Sequence, residues 1–222
     1  MSGTITRIEK QQKRSDRVNV YLNDAFAFSL AMIVAEAEGM RPGMFLSDAL
    51  VEELLQRDAF QKAIDSALRY LSYRPRSEKE VRQNLLHKKL APPLIDKVIQ
   101  RLTEIRMIDD AAFAQFWVQN REAFSPRSER ALRFELRGKG VDQVTVDDTV
   151  EGAVDEEASA CAAGRKKLRA LGHLEYKDFR NKIGAYLARR GFHYEVINVA
   201  VNKLWQEAGA GGRIAGPEDA DE

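Results

Sequence analysis

The side chains in this sequence best suited to binding chemistry are its arginines and lysines, and they recur instead of scattering. Arg74, Arg76, Arg127, Arg130, Arg133, Arg137 and Lys139 gather near two similar segments, and Lys88, Lys89, Arg189 and Arg190 sit at the turns that follow. Cations at regular intervals suit phosphates or the acidic groove of a partner. A charge run is as readily a solvated helix face, so on charge alone the two readings stand level. Repetition tips the balance toward a binding surface, because tandem units would present the charges periodically.

Groups that would carry catalysis are not arranged for it. His87, His173 and His193 occupy unrelated positions and Cys161 has no neighbouring histidine, so neither a zinc site nor a thiol nucleophile is expected. Asp109-Asp110 offers two adjacent carboxylates without further ligands, and Asp at a helix start is an ordinary N-cap, the role expected of one of the pair. Gly209 to Gly212 has no strand before it and no helix after it, unlike a phosphate loop. Phe113, Phe116, Trp117 and Phe124 would serve as a stacking platform for single-stranded DNA. The i, i+3, i+4 spacing of the first three, however, reads as the buried face of a helix. No catalytic residue, cofactor or metal is implied, and the chain reads as a non-enzyme.

These side chains are carried on 222 residues, of which 31% are charged and 44% hydrophobic, the balance of a folded protein with a well-solvated surface. The net charge of +1 conceals a segregation: basic residues crowd Lys62 to Lys139, acids crowd Asp142 to Glu157, and basic residues return from Arg165. A single cysteine excludes an intrachain disulfide and fits a reducing cytoplasm. The start Met1-Ser2-Gly3-Thr4 lacks an apolar signal core, and no apolar run approaches a membrane span.

Thr4 to Ser29 alternates with period two, with a turn signal at Asn23-Asp24, and predicts a small β-hairpin or short sheet. Helical stretches follow near Ala31 to Glu38 and, capped by Ser47-Asp48, from Ala49 to Arg57. From Asp58 to Trp205 apolar residues recur at helical spacing. The expected division is an N-terminal hairpin and short helices over 1–57, three-helix repeats over 58–108, 109–157 and 158–206, and a disordered acidic tail over 207–222.

The repeats rest on arithmetic. Pro75-Arg76-Ser77-Glu78 recurs 51 residues later as Pro126-Arg127-Ser128-Glu129. The same step aligns Val81, Leu132 and Ile183; Leu85, Leu136 and Leu187; and Lys88, Lys139 and Arg190. Gly140 and Gly191 fall opposite Lys89. Each unit reads as a helix, a second helix capped at the Ser77 or Ser128 position, a basic turn closed by glycine, and a third helix. The third helix of the second unit is the least regular, with acids and threonines replacing apolar residues around Val146 and Val150. In the third unit Lys177-Asp178-Phe179-Arg180 replaces the tetrad, and its second helix is expected from Tyr176 or Lys177.

Two stretches resemble the RecX family: Ala67-Leu68-x-x-Leu71-Ser72-x-Arg74-x-Arg76-Ser77-x-x-Glu80-Val81-x-x-x-Leu85, and Ile108-Asp109-Asp110-x-x-Phe113-Ala114-x-x-Trp117-Val118-x-x-Arg121 with Leu132-Arg133-x-Glu135-Leu136-x-x-Lys139-Gly140. Lys88-Lys89 stands where the family often has Lys-Gly. The resemblance implies a mainly α protein, a monomeric, elongated, curved array of tandem three-helix repeats. It implies a negative regulator in recombination and DNA repair that lies in the groove of the RecA–DNA filament and suppresses its ATPase and strand exchange. A direct DNA-binding helical repeat, on single or double strands, is the alternative function. The arginines and lysines named above are the expected partner-binding residues.

Overall fold

The computed structural model describes residues 2–210. Strands β1 (Gly3–Lys10), β2 (Arg17–Leu22), β3 (Ala25–Ala31) and β4 (Phe45–Leu46) form an antiparallel sheet in the order β3-β2-β1-β4. The β2–β3 hairpin closes through Asn23 and Asp24, both left-handed at φ 48° and 69°, as a two-residue turn with right-twisted strands requires. Alternation sends Val18, Val20, Leu22, Phe28 and Leu30 into the core. The sequence reading did not include β4, because a two-residue strand shows no period.

Helix α1 (Met32–Ala37) follows β3, and α2 (Asp48–Leu71) is capped by Ser47, whose hydroxyl accepts the Leu50 N–H. Helix α2 runs unbroken through position 57, where the sequence reading ended the front piece. Asp58, read as a boundary residue, is buried. It accepts two hydrogen bonds from Arg17, at 3.0 and 3.1 Å, and one from the Ala31 N–H at 2.7 Å. A buried carboxylate satisfied in this way need not interrupt a helix, and here it fastens α2 to the sheet.

The described residues fall into two compact units, one within Met1–Arg74 and Glu80–Ile108, the other within Pro75–Lys79 and Asp109–Glu222. In the first unit, the C-terminal half of α2 joins α3 (Glu78–His87) and α4 (Pro92–Glu104) around Ala63, Ala67, Val81, Leu85, Ile95, Ile99 and Leu102. In the second, α5 (Asp110–Phe124), α6 (Glu129–Gly138) and α7 (Gln143–Val150) enclose Phe113, Val118, Leu132, Leu136, Val146 and Val150. The last three-helix bundle is α8 (Glu156–Leu171), α9 (Tyr176–Ala188) and α10 (Tyr194–Ala210), around Phe179, Ile183, Leu187, Ala200, Val201 and Leu204. Val81, Leu132 and Ile183 are each fully buried, as are Leu85, Leu136 and Leu187. The 51-residue register is therefore a register of core positions, each worth about 1.5–3 kcal/mol of apolar burial.

The acidic stretch acquires structural roles. Asp142 caps α7 by accepting the Thr145 N–H, and Asp155 caps α8 by accepting the Ala158 N–H. Helix α7 needs little apolar surface, since Val146 and Val150 are its buried residues. At the other end α10 extends past Glu207, which pairs with Arg165 at 2.7 Å, and Ala208 is buried. Disorder beginning at 207 is thus corrected for 207–210, where one helical turn finds a partner in α8. The remainder of that expectation, 211–222, lies outside the described residues.

Candidate functional site

The recurring tetrad turns out to be a joint. Ser77 is fully buried and its hydroxyl donates to the Lys139 carbonyl at 2.7 Å; the Glu78 N–H donates to the Asp110 carboxylate at 2.8 Å. One period on, the Ser128 N–H donates to the Arg190 carbonyl at 3.2 Å and the Glu129 N–H to the Glu156 carboxylate at 2.6 Å. Each tetrad therefore docks on the basic turn of the repeat that follows, with its backbone N–H taken by an acid at the start of that repeat's first helix. Unfilled N–H groups at a helix start favour such a carboxylate.

Glycine in these turns follows from the same contact. Gly140 and Gly191 have φ of 89° and 94°. A Cβ would stand 2.7 Å from the Lys79 Cβ at the first and 2.8 Å from the Ala131 Cβ at the second. Lys89 keeps the left-handed conformation at φ 61° and is exposed. No tetrad precedes the first repeat to dock there, so a side chain is tolerated where the later turns need glycine.

The expected partner-binding residues separate into two groups. Arg74 forms a bidentate pair with Glu80 at 2.9 and 3.1 Å. Arg127 reaches Glu135 at 3.3 Å, and Arg133 bridges Glu129 at 3.0 Å and Asp147 at 3.3 Å. Arg190 donates to the Pro126 carbonyl and the Ser125 hydroxyl at 3.0 and 3.1 Å and lies over the Tyr186 ring. Lys139 lies over the Trp117 ring, 5.0 Å from its centroid, while Lys88 contacts Ser66 at the corresponding position one repeat earlier. Arg76 is half-buried in the first tetrad. Lys89, Arg130, Arg137 and Arg189 remain exposed.

Glu135, which the sequence reading did not single out, organises the second bundle. Its carboxylate accepts from Trp117 Nε1 and Arg121 Nε, both at 2.8 Å, in addition to Arg127. Three donors converging on one acid from 8 to 18 residues away leave no local pattern to read. Trp117 is thereby half-buried and Phe113 fully so, in keeping with a packing role, whereas Phe124 is 72% exposed. Phe134 on α6 is likewise 72% exposed.

Asp109 is the cap of α5, accepting the Ala112 N–H, and Asp110 belongs to the joint. Burial pushes the Asp110 carboxyl above the ordinary aspartate value, only partly offset by the Glu78 N–H. Cys161 is buried and burial raises its thiol in the same way, the opposite of what an activated nucleophile needs. Among the described residues no three His, Cys, Asp or Glu side chains are grouped to hold a metal ion. No helix among them is long and apolar enough to cross a membrane.

Sequence-family models for the RecX regulatory protein's N-terminal domain and its first, second and third three-helix domains match residues 3–47, 63–102, 109–150 and 155–201. The chain belongs to the RecX family. Among RecX relatives, the regulatory protein RecX of Bacillus subtilis is 32% identical over 209 residues, covering 91% of this chain and 78% of that protein. That of Halalkalibacterium halodurans is 38% identical over 147 residues, 64% of this chain and 55% of its own length. A crystal structure of a regulatory protein RecX superposes with a TM-score of 0.71 at 24% identity, covering 91% of this chain and all of the other. RecX from Lactobacillus salivarius gives 0.56 at 26% identity, covering 67% and 97%. Tandem RecX three-helix domains behind a small strand region are therefore the architecture of this chain, and its family is one of regulatory proteins.

Proposed function

We propose that this chain is a negative regulator of the RecA recombinase, binding the RecA–DNA filament in the cytoplasm as a monomer and lowering its ATPase and strand exchange. The observation that carries this reading is that the matches to the RecX family include the N-terminal domain and all three three-helix domains. Membership therefore does not rest on one shared module. A tandem repeat adds physical support, because regularly spaced units suit a regularly repeating polymer. Lys89, Arg130, Arg137 and Arg189 supply exposed cations for acidic or phosphate-bearing surfaces.

The test is the ATPase of purified RecA on single-stranded DNA, with the full chain titrated from substoichiometric to equimolar. A dose-dependent fall in rate is expected. Equal rates with and without the chain, with its helicity intact by circular dichroism, overturn the reading.

A further inference from the structure

Helix α2 is longer than its own bundle needs. Helices α5 and α8 begin with the repeats they belong to, whereas α2 enters the core of the first repeat only from Ala63, and its earlier buried residues Val51 and Leu54 face the sheet. In the turns before Ala63 it runs beside α4, and a groove of about 760 Å³ opens between the two helices. Pro93 to Glu104 give this groove a length of about 16 Å along α4. Its floor is apolar: Phe60 and Leu94 are half-buried, and Ala59, Ala91 and Pro93 are open to solvent. The charges on its rims are mostly paired within the fold. Arg57 donates to Glu38 and Glu53, and Glu104 accepts from Gln100 and Arg101. Asp96, the acid next to Lys97 in the chain, is held by Arg82. Lys97 itself lines the groove, is exposed, and has no ion pair among the described residues. An apolar trough is left with one uncompensated ammonium on its wall.

We propose that this groove binds a small amphiphilic anion of the medium-chain carboxylate kind, with its apolar chain along Phe60 and Leu94 and its carboxylate on Lys97. The volume falls in the range of about 300–1,000 Å³ in which small-molecule sites lie. Covering Phe60, Leu94 and Pro93 removes apolar surface from water, which favours an aliphatic body. Lys97 sets the sign of the head, because a cation there would meet a like charge and a neutral group would leave the ammonium uncompensated. A nucleic acid is disfavoured by Glu53 and Glu104, which stand on the rims beside the cations. A protein helix would gain by matching charges along both rims, and here every rim ion but Lys97 is already paired. One apolar body with one anionic head is what remains. Nothing in this binding requires a second protein, so it stands apart from recombinase regulation.

The test is isothermal titration calorimetry of the full chain with decanoate below its micelle concentration, and with decanol as the uncharged counterpart. Decanoate should bind saturably at one site. Lys97→Gln should weaken decanoate about fivefold and leave decanol unchanged. Ala59→Glu, which puts an acidic side chain into the floor from an exposed helix position, should abolish binding of both. Circular dichroism checks that each variant keeps its helicity. No saturable decanoate binding to the folded parent overturns the proposal, as does undiminished decanoate affinity in either folded variant. If the parent takes no decanoate and Ala59→Glu loses the effect on the RecA ATPase, the groove docks protein, and the proposal fails while the regulatory reading stands. Decanoate binding with the expected variant pattern, and no ATPase effect from any form of the chain, supports the proposal and sinks the regulatory reading alone.

Discussion

The Ser77 hydroxyl donates to the carbonyl of Lys139 at 2.7 Å, 62 residues away in the chain. This bond gives a serine that reads as a helix cap a second role, fastening the first tetrad to the turn at Lys139 within the second unit. Ser77→Ala removes the buried hydroxyl that donates to this carbonyl and should lower unfolding stability by about 1–3 kcal/mol. Ser128→Ala, which removes the hydroxyl that accepts the Ala131 N–H, should cost about 1 kcal/mol. Urea unfolding of the two variants measures both, and parent-like midpoints would remove the joint's energetic role.

Turn glycines should respond according to what is docked on them. Gly191→Ala meets Ala131 across the second joint at a left-handed φ, so a loss of about 2–3 kcal/mol is expected. Gly140→Ala meets the Lys79 Cβ, which is fixed to its backbone, at a left-handed φ and should lose a comparable amount. Lys89→Gly should stay within about 1 kcal/mol of the parent, since it relieves a left-handed lysine but loosens the unfolded chain. Thermal melts of the three rank them, and a loss at Lys89→Gly as large as that at Gly191→Ala would contradict the account.

Asp58 should govern the acid limit of the N-terminal unit. Burial pushes its carboxyl up, but hydrogen bonds from Arg17, Lys62 and the Ala31 N–H outweigh that and hold it below the ordinary aspartate value. A depressed folded value means the stabilisation is present above the unfolded pKa, about 3.9, and is lost as pH falls through the folded one. Asp58→Ala, which leaves Arg17 buried and unpaired, should cost about 3–5 kcal/mol at neutral pH. Asp58→Asn should flatten the fall in stability below about pH 4. Denaturant midpoints across pH 2 to 7 decide this.

Charge reversals at the basic residues should divide along the structural lines found here. Arg127→Glu and Arg133→Glu place like charges against Glu135 and Glu129, so each should lower stability by about 1–3 kcal/mol. Arg130→Glu, with no internal ion pair to lose among the described residues, should leave stability within about 0.5 kcal/mol. Any change it makes in RecA ATPase or strand binding can then be assigned to a contact. A large destabilisation by Arg130→Glu in urea would show that it has an internal role.

Much of the fold was legible in the residues themselves. The period of 51, the core positions at Val81, Leu132 and Ile183, the hairpin turn at Asn23-Asp24 and the cap at Asp109-Asp110 are local patterns. A helix face repeats every few residues and a cap acts within one turn, so both leave a trace in the linear order. Family resemblance was legible for the same reason, since the residues that carry it, such as Arg76-Ser77-x-x-Glu80 and Leu136-x-x-Lys139-Gly140, sit at fixed offsets. Which acid claims which cation was not. Glu135 gathers Trp117, Arg121 and Arg127 from two elements, Asp58 reaches back 41 residues to Arg17, and Ser77 meets Lys139 across 62. Such partners are chosen by proximity after the helices have packed, because an ion pair gains its strength from desolvation and short distance and carries no sequence period. Packing alone therefore separated the arginines engaged by acids or carbonyls from those left facing water.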